Sequence, residues 1–136
     1  DEPQPWPRCY CGRIGCVEAF LSGPAMAAEH QRLHGGAPNM ALDAAAIAAL
    51  AAQGDAAALA TLERYATRLA RALAVVINIV DPQVIVLGGG LSKIASLYIR
   101  VPQRWLPWVF SDQVTTRLLA ARHGDASGVR GAARLW

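Results

Sequence analysis

Lysine is almost missing from this chain. Of the 13 basic residues, 12 are arginine and Lys93 stands alone. Against 10 acidic residues they leave a formal net charge of only +3, too slight to argue for a nucleic-acid surface. The arginine bias accompanies an alanine-rich composition and reads as a coding habit rather than a binding signal. Arg64, Arg68 and Arg71 share a helix face by spacing, and without interleaved aromatics they read as an ordinary solvated face. No apolar run approaches the ~20 residues of a membrane span. The opening DEPQPWPRCY lacks a cationic stretch leading into an apolar one, so it does not read as a secretory signal. Asp1 in place of a methionine leads us to expect residues upstream. Cysteine is scarce too. Cys9, Cys11 and Cys16 cannot all pair, and Cys9 and Cys11 are too close to bridge easily, which argues against a disulfide framework. A cytoplasmic protein with neither nucleic acid nor membrane as partner is expected.

What is present is enough for a core: 136 residues, 54% of them hydrophobic. Residues 1–21 read as a loop governed by Pro, Gly and Cys. Ser22 can cap a helix with Pro24 in its first turn, running to about Leu33 and stopping at Gly35-Gly36. Asp43 can cap AAAIAALAAQ, ended by Gly54. Asp55 then caps a long helix with Leu59, Leu62, Tyr65, Ala66, Leu69, Leu73, Val76, Ile77 and Val80 at spacings of three and four. Asp81-Pro82 breaks it. QVIVL comes next as a strand apolar on both faces, as buried parallel strands are. A helix over roughly Ala95 to Phe110 is broken or bent by Pro102 and Pro107. RLLAARHG is a second strand, and DASGVRGAARLW opens a final helix capped by Asp125 or Ser127, with Gly128 and Gly131 leaving a bare face. Helix, strand, helix, strand, helix is an α/β layout. With no repeat and no linker, residues 1–136 are expected to form one structural unit.

Three places carry chemistry. Thiolates are soft ligands suited to Zn²⁺, which takes four thiolates or three with a histidine in structural sites. Cys9-x-Cys11 brings two sulfurs to one point, and Gly12 and Gly15 let the backbone return so that Cys16 supplies a third. The alternative is three buried thiols packed as small hydrophobes. His30 and His34 have no evident ligand spacing, which puts the fourth ligand before Asp1. The second place is Gly88-Gly89-Gly90 after the first strand. Such glycines either let a nucleotide approach the backbone or serve tight strand-to-helix packing, and they do not match a Walker A loop. The third is the HGDASGVRG turn, where His123 reads as a structural residue at a strand end.

Cys9-Tyr-Cys-Gly-Arg-Ile-Gly-Cys-Val-Glu18 resembles the CxCGxxGCxE signature of the ROK family of repressors and sugar kinases. DPQVIVLGGGLS and HGDASGVRGAA resemble its later landmarks, in the same order, so the resemblance covers essentially the whole chain. FLSGP and the VFSD…TRL…HGDASGVRGAARLW tail look most like bacterial fructokinases.

The resemblance implies the C-terminal part of an actin-like ATPase (ribonuclease H-like) α/β fold, with a zinc-binding loop over residues 1–21 and a helical and α/β body over 22–136. Cys9, Cys11 and Cys16 match the zinc-ligating cysteines, whose fourth partner in the family is an upstream histidine. Glu18 matches the glutamate that accepts hydrogen bonds from sugar hydroxyls, a task suited to an acceptor-only carboxylate. Gly88, Gly89 and Gly90 match glycines beside the nucleotide. The implied reaction moves the γ-phosphoryl of Mg²⁺-bound ATP to a hexose, most simply fructose at its C6 hydroxyl, in a homodimer. Family members run to about twice this length, and their first half carries the Asp-x-Gly-Gly-Thr phosphate loop, the catalytic aspartate and the zinc histidine. None of these is in this sequence, so the 136 residues alone are expected to be inactive. The effector-binding and dimerisation half of a sugar-responsive repressor of the same family is the alternative, and a defective remnant with only a structural role is a third reading.

Overall fold

Short polar side chains start the helices where the sequence puts them. In the computed structural model, which describes residues 4–35, 42–124 and 127–134, Ser22 Oγ accepts the Ala25 N–H at 3.2 Å and opens α2 (Gly23–His34). Asp43 accepts the Ala46 N–H at 2.7 Å and opens α3 (Ala44–Ala52). Asp55 accepts the Ala58 N–H at 2.8 Å and opens α4 (Ala56–Val80). Each carboxylate or hydroxyl satisfies one of the N–H groups a helix start leaves without a partner. Gly35 and Gly54, at φ 75° and 90°, come after α2 and α3. Asp81 ends α4 at φ 46°, a region open to Asp though rare for most side chains, and Pro82 prevents resumption. Gly36, expected to share in stopping α2, lies outside the described residues. No single described helix is long and apolar enough to cross a membrane.

The chain divides into two units, Asp1–Arg68 and Leu69–Trp136. In the first, the segment expected to be loop throughout contains a helical turn, α1 (Glu18–Leu21). Its core gathers Met26 and His30 of α2, Ile47 and Ala51 of α3, and Ala58, Thr61, Leu62, Tyr65 and Ala66 of α4.

In the second unit, β1 (Val84–Leu87) pairs in parallel with β2 (Arg117–Ala120), Val84 opposite Arg117 and Leu87 opposite Ala120. Thr116 Oγ1 donates to Pro82 O at 2.7 Å just ahead of this pairing. The helix expected over 95–110 is broken as its prolines require, into α5 (Leu97–Arg100), α6 (Pro102–Trp105) and a 3-10 turn over Leu106–Trp108. Leu97, Val101 and Trp105, four residues apart, are nearly fully buried along one face. Asn78 clamps the end of that turn: its Nδ2 donates to Trp108 O at 2.9 Å, and its Oδ1 accepts the Phe110 N–H at 2.8 Å. The final helix, α7 (Ser127–Ala132), forms, and the space around Gly128 and Gly131 is open among the described residues. The cap expected from Asp125 or the Ser127 side chain lies outside the described residues.

Three expectations are corrected. β1 is not buried on both faces: Val86 is 57% exposed, and in β2 only Leu118 is buried. The described sheet has two strands, so neither has neighbours on both sides. Nor are Arg64, Arg68 and Arg71 a plain solvated face. Arg68 and Arg64 pair with Glu29, and the Arg71 guanidinium lies 4.6 Å from the centre of the Trp108 ring. The α4 stripe is also displaced: Leu62, Tyr65, Ala66, Leu69 and Ile77 are buried as expected, but Val76 and Val80 are exposed, and the buried line runs through Ala70 and Ala74.

The cysteine-bearing loop owes its path to two glycines. An isolated antiparallel bridge joins Arg8 and Ile14, Cys9 N–H donates to Arg13 O at 2.8 Å, and Gly15 N–H donates to Pro7 O at 3.0 Å. Gly12 and Gly15 turn the chain at φ 85° and 74°, which costs an L-residue about 1–2 kcal/mol. A Cβ on Gly12 would enter open space, whereas one on Gly15 would lie 2.7 Å from Trp6 Cε3. Gly15→Ala should therefore lower the melting temperature more than Gly12→Ala, because it adds displacement of the Trp6 ring to the same backbone strain. Thermal melts of the two variants check this, and equal losses would refute the Trp6 contact.

A three-thiol cluster and the glutamate beside it

The loop hydrogen bonds bring Cys9, Cys11 and Cys16 together, and their sulfurs all lie within 4.8 Å of one another. Cys11 Sγ and Cys16 Sγ are 3.5 Å apart. Sulfurs about 2.3 Å from a tetrahedral ion stand just under 4 Å from each other, so this donor set fits one such ion. Cys9 is buried, Cys16 half-buried and Cys11 exposed, which rules out three thiols packed into a core. The thiols hold their protons unequally. A backbone hydrogen bond from Arg13, then hydrogen bonds from Cys16 and Cys9, pull the Cys11 thiol down. The Cys16 thiol is pushed up to about 11 by its hydrogen bond with Cys11 and then by burial.

No histidine joins the cluster among the described residues. His30 is buried, its Nδ1 2.9 Å from Thr61 Oγ1. The Thr61 hydroxyl spends its proton on Ala57 O at 3.1 Å, so His30 Nδ1 is the donor. Burial, followed by the charge of His34, lowers the His30 pKa. The strand expected over RLLAARHG stops at Ala120, so His123 sits exposed in the turn after β2 and not at the strand's end.

Glu18 is exposed and is the first residue of α1. Ala19 N–H donates to Cys16 O at 2.9 Å, so the last cysteine's carbonyl receives the turn's first backbone bond. Glu18 also lines a cavity of about 600 Å³, walled by Trp6, Phe20, Glu29, Arg32 and Arg68 among others. The sequence did not single out Glu29. Its carboxylate takes both Arg68 Nη1 and Nη2, at 2.5 and 2.8 Å, with Arg64 Nε 3.4 Å away. Burial would raise its pKa, but the hydrogen bonds and charge of Arg68, with Arg64 and Arg32, more than offset this and hold it below the ordinary carboxylate value. Within the second unit, Gly88, Gly89 and Gly90 come directly after β1. Gly89 has φ 75°, and a Cβ on any of the three would meet nothing within 4 Å. Tight packing within the described residues is therefore not what these glycines serve.

Comparison with known proteins matches this chain to the ROK family model over residues 3–136. It is similar to the N-acetyl-D-glucosamine kinase of Salmonella paratyphi B, 40% identical over 131 residues that cover 96% of this chain and 42% of that protein. Among solved structures it resembles a ROK family glucokinase from Streptomyces griseus in complex with glucose and AMPPNP, with a TM-score of 0.79 and 25% identity, covering 92% of this chain and 45% of that one. It also resembles a ROK family transcriptional regulator, a homologue of the E. coli MLC protein, with a TM-score of 0.71 and 28% identity, covering 88% of this chain and 32% of that one. The α/β architecture is thus that of the actin-like ATPase fold of ROK sugar kinases. The chain spans less than half the length of each of these relatives. By its match from residue 3 to residue 136, the chain belongs to the ROK family.

Proposed function

We propose that this chain is part of an ATP-dependent hexose kinase in which Glu18 binds the sugar. The observation that carries the reading is the placement of Glu18: exposed on a cavity wall and two residues beyond a three-sulfur cluster. An ionised carboxylate accepts from two hydroxyls at once and offers no competing donor. Trp6 and Phe20 on the same wall suit the apolar face of a sugar ring. Gly88, Gly89 and Gly90 serve the nucleotide in this reading, since open space over their backbone admits a phosphate or ribose. ATP enters with Mg²⁺, and a homodimer is the assembly we expect.

Cys9, Cys11 and Cys16 would hold a structural Zn²⁺, which fixes ligand geometry without redox chemistry. The consequence for this chain is mechanical: the turn that begins at the carbonyl of Cys16 is anchored, and Glu18 with it. As to the sugar, the relative at 40% identity is named for N-acetyl-D-glucosamine, and we place that sugar ahead of the fructose suggested by the tail residues. A sugar-responsive regulator is the second reading, favoured by the likeness to the ROK regulator structure. Formation of sugar phosphate and ADP from sugar and ATP by the full-length protein separates the two, since a regulator binds sugar without turning ATP over.

In the full-length protein, steady-state kinetics on a hexose panel should give a higher kcat/KM for N-acetyl-D-glucosamine than for fructose, and the reverse order would restore the fructokinase reading. Glu18→Gln keeps size and shape but exchanges one acceptor oxygen for a donor. A hydrogen bond to a charged group contributes about 1.5–3 kcal/mol, so calorimetry should show sugar binding weakened by roughly ten- to a hundredfold, with melting temperature and metal content unchanged. Normal binding with an early melt would make Glu18 a structural residue. Metal analysis under reducing, chelator-free conditions should find one zinc per chain, and Cys16→Ser should lower zinc content and melting temperature together. A zinc-free protein with native stability would sink the metal assignment.

A further inference from the structure

A lone helical turn is not stable in water, because nucleation costs more than one hydrogen bond returns. α1 has four residues and no side-chain cap at its N-terminal end, so the direction in which Glu18 points must come from what grips the turn. Two side chains of α4 do so. Tyr65 Oη–H donates to Leu21 O at 3.0 Å, satisfying a carbonyl at the end of α1. The Arg68 guanidinium lies 5.2 Å from the centre of the Phe20 ring, within cation–π range. Neither is free to drift. Tyr65 is 4% exposed, and its hydroxyl, pushed up to about 12 by burial, stays a donor at every working pH. Arg68 is held flat by its two bonds to Glu29. Phe20, Arg68, Glu29 and Glu18 all line the same cavity.

We propose that Tyr65 and Arg68 are positioning residues for the sugar site: the Tyr65–Leu21 hydrogen bond and the Arg68–Phe20 stack aim the Glu18 carboxylate. The proposal rests on the reading of Glu18 as the sugar's hydrogen-bond acceptor. It extends the site to a helix that begins 38 residues further along the chain.

The test is a double-mutant cycle in the full-length protein, read by calorimetric titration with N-acetyl-D-glucosamine and with a non-hydrolysable ATP analogue. Tyr65→Phe removes one oxygen and keeps the ring. It should weaken sugar binding about two- to tenfold, the range of one neutral hydrogen bond, and leave nucleotide affinity unchanged. Because it acts through Glu18, it should cost almost nothing further in the Glu18→Gln background. Arg68→Lys keeps a charge beside Glu29 but loses the planar fork and the stack, and it should show the same pattern. It serves as the second variant should Tyr65→Phe fail to fold. A sugar affinity unchanged in both variants would overturn the proposal while leaving Glu18 in place. Losses that add in full to Glu18→Gln, or that fall equally on sugar and nucleotide, would reduce both residues to general stabilisers. If Glu18→Gln itself binds sugar normally, the reading of Glu18 fails and the positioning role fails with it.

Discussion

A carboxylate nearly closed off from water has to be matched by cations or it will take up a proton. The first unit of this protein is organised around one such group, Glu29, with 11% of its side chain exposed beside an Arg68 that is 12% exposed. Desolvation argues against burying either charge alone. The two-point geometry resolves the conflict, since a planar fork matches both carboxylate oxygens at once. Arg64 adds a second cation, its Nε buried with the Glu29 oxygen as its nearest counter-charge. Removing one partner from a pair like this typically costs about 3–5 kcal/mol, comparable to a large core truncation. The pair joins α2 to α4, and α1 and the cavity lie against it.

The buried face of α4 is built largely from small side chains. Ala58, Ala66, Ala70 and Ala74 are each at most 1% exposed. Alanine lets helices approach closely and loses no side-chain entropy, but each one removes little area from water. A face made of alanines also slides easily, because few shapes distinguish one register from the next. Larger groups at intervals supply the register in the first unit: Met26, Ile47 and Leu62 by volume, and Tyr65 and Arg68 by directional bonds. The same logic holds in the second unit, where Leu97, Val101 and Trp105 fill one face and Asn78 fixes the chain at Trp108 and Phe110.

This division explains what could be read from the chain alone. Caps were legible because Ser22, Asp43 and Asp55 act on backbone within three residues of themselves. The proline-broken helix was legible for the same local reason. The cysteine cluster was legible because its spacing and its glycines lie in one short loop. Arg68 was misread because its partner is 39 residues away on another helix. A signal did exist: Arg64, Arg68 and Arg71 have no acidic residue three or four positions away on their own helix, so any ion pair they make must come from elsewhere. The exposure of Val86 and Leu119 was illegible in a different way. An apolar run reports that a strand suits burial on both faces, but the number of neighbours it has is a property of the sheet.

The helical turn bearing Glu18 shows how the two kinds of interaction meet. From its N-terminal side it is held by short-range order, since Cys16 is both a member of the thiol cluster and the acceptor of the Ala19 N–H. Leu21 N–H closes on Val17 O at 2.8 Å within the turn. From its C-terminal side it is held by long-range order, through the Tyr65 hydroxyl on Leu21 O. Ser22 then serves two helices at once: its N–H closes α1 on Glu18 O, and its side chain opens α2. A four-residue turn fixed at both ends has little freedom to rotate, and a carboxylate at its first position inherits that rigidity. Preorganisation of this kind lowers the entropic cost of ordering a binding group on association. The two ends of the turn are thus set by different parts of the chain: Cys16, one of the three clustered thiols, fixes the first through its carbonyl, and the tyrosine of a distant helix fixes the other.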